Sequence, residues 1–152
     1  MIEILFVGVG GAIVSAVVGT IWYNPDWTSM GKWHMQYLGF DKLSKKEQEA
    51  IRNEMAPQMW KSYSVQLILS LLTSLFIAFV TSYSVQNGAP ASSIYYYIPM
   101  IWLCFTVPII GQNILWGTST GNLALAWKRF FSESFSSLIT FMIIAYIATL
   151  VF

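Results

Sequence analysis

Between Lys61 and Lys128 lie 66 residues, 62 to 127, without a single Asp, Glu, Lys or Arg. About a quarter of the residues in a soluble domain carry charge, so an uncharged and mostly apolar block of this length belongs in lipid. The rest of the chain agrees, being 56% hydrophobic and only 10% charged. One spanning helix takes roughly 20 residues, so residues 1–152 are expected to form a single integral membrane domain of about four spans. Eight Lys/Arg against seven Asp/Glu leave a net charge of +1. That balance offers no basic field for a nucleic acid.

The first span is expected at about 4–23. It carries no charge and lacks the basic leader of a secretory signal, which argues for a retained helix. Gly8, Ala12, Ser15 and Gly19 recur at three- and four-residue steps, a face of small side chains against which another helix can pack. Gly8-Val9-Gly10-Gly11 lies inside this span with no strand before it, which argues against a nucleotide loop. The span ends at Trp22-Tyr23-Asn24-Pro25, where aromatic rings suit the headgroup layer and the proline disfavours helix at Asn24.

Between the first and second spans the pattern predicts a helical hairpin over 24–59, part interfacial and part soluble. Trp27, Met30, Trp33, Tyr37 and Leu38 share one helical face, and Gly39 ends it. Ser44-Lys45-Lys46-Glu47 has the form of a capping box, opening a short helix from Lys45 to Met55 that stops before Pro57.

Gln86-Asn87-Gly88-Ala89-Pro90 is the turn that divides the uncharged block, giving spans at about 60–83 and 94–116. On the second span Ser62, Gln66, Ser70, Ser74 and Thr81 form a polar stripe, of which Ser70 and Ser74 are expected to pack against protein. The third carries Pro99 and Pro108, the latter placed to kink the helix and free the carbonyl of Cys104. A turn from Gly117 to Gly121 and the pair Lys128-Arg129 precede a fourth span at about 130–151. The fold class is therefore an all-α membrane protein with four transmembrane helices.

All Lys and Arg fall in 24–61 or at 128 and 129, which a four-span chain brings to one side. The positive-inside rule makes that side cytoplasmic and both termini external, as in a bacterial inner membrane. Trp22, Trp27, Trp60, Trp116 and Trp127 would mark the inner boundary, and Tyr83, Tyr95, Tyr96 and Tyr97 the outer.

Trp22-Tyr23-Asn24-Pro25, then Gly31-Lys32-Trp33, then Leu38-Gly39-Phe40 resembles a small bacterial membrane family, domain of unknown function 1761. Asn113 followed by Leu115 and Trp116 is similar to that family's second recurring stretch. The resemblance covers nearly the whole chain and implies four spans, with no activity attached. After Leu115 the family tends to carry charges, whereas Trp116-Gly117-Thr118-Ser119 has none.

This topology brings Tyr23, Asn24, Gln112 and Asn113 to the depth of Gln66 and Glu133, so a polar cluster near the inner leaflet is expected if they face the bundle axis. Glu133 is the one ionisable group within a span proper, a candidate for binding a proton or cation. Arg129 lies four residues earlier, so an interfacial ion pair is the competing role. His34 and Cys104 are each single in the chain and far apart, so no metal site and no cofactor are expected. No Ser-His-Asp set, phosphate loop or carboxylate pair is present, which argues against an enzyme. Two readings follow: a structural or accessory subunit packing into a homo-oligomer or a larger membrane complex, or a small transporter or channel for a proton, cation or small solute around Glu133. The second is similar in span number to the small multidrug exporters, but their carboxylate sits in the first helix, and here that helix has only Glu3 at its edge.

Overall fold

The computed structural model describes residues 1–116 and 122–152, and among these there is no strand. Six α-helices follow in order: α1 Ile2–Trp22, α2 Ser29–Tyr37, α3 Lys45–Gln86, α4 Ile94–Ile101, α5 Val107–Gly111 and α6 Leu123–Val151. Four stretches are long and apolar enough to cross a membrane: Ile2–Trp22, Trp60–Gln86, Ala91–Ile114 and Leu123–Val151. The turn expected from Gly117 to Gly121 and the side chain of Trp116 lie outside the described residues.

Two of the expected boundaries are corrected. The helix of the fourth span, α6, begins at Leu123, not near Phe130, because Asn122 caps it by accepting from the Leu125 amide at 3.1 Å. Lys128 and Arg129 are thereby inside α6 instead of ahead of it. The second correction concerns Pro57, where no break occurs. The capping box forms as expected, Ser44 Oγ accepting from the Glu47 amide and Glu47 Oε2 from the Ser44 amide at 2.7 Å. The helix it opens runs on for 42 residues. Proline removes one amide and crowds the carbonyl four residues back, that of Asn53. Asn53 and Pro57 are both exposed, so that carbonyl can keep a solvent partner and the helix is not broken. The second arm of the expected hairpin is thus continuous, through Pro57, with the helix of the second span. At 1.5 Å per residue α3 is about 63 Å long, roughly twice a hydrocarbon core of about 30 Å.

The third span is irregular where its prolines fall. Trp102–Thr106 and Gln112–Trp116 are π-helical, on either side of α5. Pro108 has no amide to donate, and in the widened turn before it the Val107 amide reaches back to the Trp102 carbonyl, five residues earlier. Each π-turn holds about one extra residue, which rotates the side chains that follow relative to those before.

The core gathers at the end of the bundle where α1 begins and α6 ends. Val7, Ile77, Ala78, Ile94, Ile98, Ile144, Ala145 and Ala148 form one buried cluster. Small residues let the backbones close in: a Cβ on Gly8 would lie 2.9 Å from Leu75 Cγ, and one on Gly11 2.7 Å from Ser74 Cβ. The small face of α1 is therefore used inside the chain at Gly8, Gly11 and Ala12, all buried, while Ser15 is half-buried and a Cβ on Gly19 would meet nothing within 4 Å. The polar stripe of α3 divides in the same way. Ser74 and Thr81 are fully buried and satisfy themselves on their own helix, at the carbonyls of Ser70 (2.7 Å) and Ile77 (2.8 Å). Ser70 is half-buried, and every residue from 60 to 69 is exposed.

One helix organises the rest. Among the described residues α6 packs against each of α1 to α5. Its sequence explains how, since Ser132, Ser134, Ser136, Ala145 and Ala148 are buried small residues that leave room for neighbours on several sides.

Candidate functional site

Where α1 ends and α6 begins, three elements bring polar side chains together. On α6 the positions 129, 132, 133 and 136 share a face by the three- and four-residue helical step. Arg129 Nε donates to Glu133 Oε1 at 2.6 Å, and the two side chains are 23% and 24% exposed. α2 lies across this pair. Its N-cap is Thr28, whose Oγ1 accepts from the Gly31 amide at 2.9 Å, and it ends at Gly39, which takes the left-handed φ of 77° that favours glycine. Trp33 and Tyr37, one turn apart, face two successive cations of α6: Lys128 Nζ is 5.5 Å from the Trp33 ring centre and the Arg129 guanidinium 4.1 Å from that of Tyr37.

α1 contributes from the third side. Trp22 Nε1 donates to Ser132 Oγ at 3.0 Å, and Tyr23 packs on His34 with ring centres 5.1 Å apart. The segment between α1 and α2 is held tightly, because Thr28 Oγ1 also donates to the Trp22 carbonyl at 2.5 Å, and Gly31 rests directly on the backbone of Asn24 and Pro25.

His34 is the residue that sequence reasoning undervalued. Its Nδ1 is buried with no hydrogen-bond partner. Burial, and then the nearby Arg129 charge, hold the imidazole below its usual pKa of 6.5, with Glu133 opposing. The spacing of Trp33, His34 and Tyr37 was the available signal: all three lie on one side of α2.

Of the expected site residues, the structure brings Tyr23 and Glu133 together. Asn24 belongs to the neighbouring turn, where its Oδ1 accepts from the Asp26 amide at 2.9 Å. Gln112 and Asn113 are exposed, since the third span meets α6 through Gly111, 3.4 Å from Phe130 for an added Cβ, and through the buried Ile114. Residues 112 and 113 fall between those two contacts and face away. Gln66 is exposed because α3 has already left the bundle at that height. Among the described residues no three of His, Cys, Asp and Glu come together as metal ligands would. The chemistry of the cluster is that of a clamp: one ion pair, two cations on aromatic faces and one indole hydrogen bond tie α1 and α2 to α6.

A family model described as Protein of unknown function (DUF1761) matches residues 7–149. The chain belongs to the DUF1761 family. No curated protein matches it, and no solved structure does either. The clamp accounts for the stretches that carried the resemblance. In the DUF1761 chain Asn24-Pro25 is the surface on which Gly31 rests, Trp33 receives Lys128, and Gly39 ends α2. The side chain of Leu115, together with 117–119, lies outside the described residues.

Proposed function

We propose that this chain is a non-enzymatic accessory subunit of a bacterial inner membrane, packing with itself or in a larger membrane complex, with both termini outside and residues 24–59 on the cytoplasmic side. One observation carries the reading. Residues 60–69 of α3 sit within a membrane-capable stretch and are exposed on every side, with the polar Ser62, Ser64 and Gln66 among them. A glutamine in lipid without a partner is costly, and membrane helices bury such groups against other helices. Among the described residues no other element covers that part of α3, which favours a neighbour from another chain.

Transport past Glu133 gains less support. The carboxylate is engaged by Arg129, and the far end of the bundle is packed with a buried apolar cluster.

Native mass spectrometry of the full chain released from membranes in mild detergent tests the proposal. Assemblies of two or more chains, or of this chain with a companion, are expected. A monomer under these conditions and in lipid nanodiscs overturns it, and so does proton-coupled flux in proteoliposomes that Glu133→Gln abolishes.

A further inference from the structure

The exposed side of α3 carries a seven-residue repeat. Met55, Ser62, Leu69, Phe76 and Tyr83 are spaced by sevens and all are exposed, and between them Val65, Leu72 and Phe79 form a second exposed row at three- and four-residue steps. This surface lies opposite Ser74, Ile77, Ala78 and Thr81, through which α3 meets its own bundle. Lipid accounts for the rows where α3 crosses the membrane. It does not account for Met55, 52% exposed and one turn past Ile51, in a stretch that also holds Lys45, Lys46, Glu47, Glu49, Arg52 and Glu54. A row that is apolar at Met55, Leu69 and Phe76, with Ser62 as its one small polar member, and that keeps a period of seven from water into lipid is the pattern of a left-handed coiled-coil seam.

Resting on the assembly reading above, we propose that the partner is a second copy of this chain, paired in parallel along α3. Two copies inserted in the same direction are related by a two-fold axis along the membrane normal, which makes their α3 helices parallel. With Met55, Ser62 and Leu69 at the core of that pair, Glu47 of each copy flanks the seam five residues before Arg52 of the other, the spacing at which parallel helices exchange ion pairs. By symmetry the contact forms twice; among the described residues neither Glu47 nor Arg52 has an ion pair, and Glu47 uses Oε2 for the Ser44 cap. Ser62 enters the seam inside the membrane and Gln66 borders it, giving both the interhelical partners they lack. Pro57 follows Met55 by two residues, about 200° around the helix, so its ring faces away from the second copy.

Disulfide crosslinking of the full chain in native membranes, in a Cys104→Ser background, tests the register. Met55→Cys and Leu69→Cys are expected to give a homodimer on oxidation, whereas Asn53→Cys and Leu67→Cys, on the far side of the repeat, stay monomeric. Equal dimer yields at all four positions overturn the register. Adducts only with a different protein overturn self-pairing and leave the accessory role standing. No adduct at any position, together with a native monomer, overturns both.

Discussion

Gly31→Ala, set against Gly10→Ala, isolates the contact that holds α2 over the clamp. A Cβ at Gly31 would lie 2.5 Å from the Asn24 carbonyl oxygen and 2.6 Å from the Pro25 nitrogen, where ordinary contact begins at 3.4 Å. Both obstacles are backbone, fixed from one side by α1 and from the other by the Thr28 hydrogen bonds, so neither can swing aside as a side-chain tip would. α2 must lift by nearly 1 Å, which loosens Trp33 from Lys128 and Tyr37 from Arg129. Overpacking of this kind costs about 1–3 kcal/mol. At about 2–4 °C per kcal/mol for a chain of this size, melting falls by about 2–12 °C. A Cβ at Gly10 meets nothing within 4 Å, so the same substitution in α1 gains the helix preference of alanine, about 0.5–1 kcal/mol, with no clash. Thermal melts followed by circular dichroism in one detergent should move in opposite directions for the two variants. A Gly31→Ala chain that melts within a degree of the parent would refute the account of α2 docking.

Two further perturbations bear on α3 and α2. Pro57→Ala restores an amide in the middle of a continuous helix, a change worth about 3 kcal/mol in helix interiors, so trypsin should cut more slowly at the exposed Arg52 and Lys61; faster cleavage would show that the helix does not run through residue 57. Acid should weaken the fold through His34, because its folded pKa lies below the unfolded 6.5: the unfolded chain takes up the proton first, so stability present above about pH 6.5 is lost as pH falls through the folded value. His34→Gln should flatten the melting temperature over that window, while the loss from Glu47, whose carboxyl the Ser44 hydrogen bonds hold below 4.5, stays at lower pH.

What could be read from sequence was what depends on neighbours in the chain. The four membrane-capable stretches follow from local hydropathy, and the capping box at Ser44 and the stop at Gly39 from side-chain and backbone chemistry within a turn. Pro57 misled because a proline takes one amide from a helix and crowds one carbonyl but need not end the helix, and here the carbonyl of Asn53 is on the exposed side. The site was half legible. Arg129 and Glu133 are one helical turn apart, so their pairing is a local fact, as is the small face of α1. Which residues face α6 is not local: Gln112 and Asn113 have the same chemistry as buried interhelical amides, and only the positions of Gly111 and Ile114 against α6 turn them outward. The π-turns at Trp102–Thr106 and Gln112–Trp116 also escape local reading, although the prolines marked the region.

Among the described residues α6 packs against each of α1 to α5, and it is synthesised after all five. When residue 116 has left the ribosome, three membrane-capable stretches exist and each can enter lipid with its own backbone satisfied, and among the described residues their main contacts are those of α1 with α3 and of α3 with the start of the third stretch. Trp22 has no Ser132, Trp102 has no Ser134 carbonyl, and α2 has no cations to cover. Assembly of this bundle is therefore deferred until Leu123–Val151 has been made, and a chain stopped before Leu123 is an inserted but open protein, with its serine and glycine faces presented to whatever surveys the bilayer.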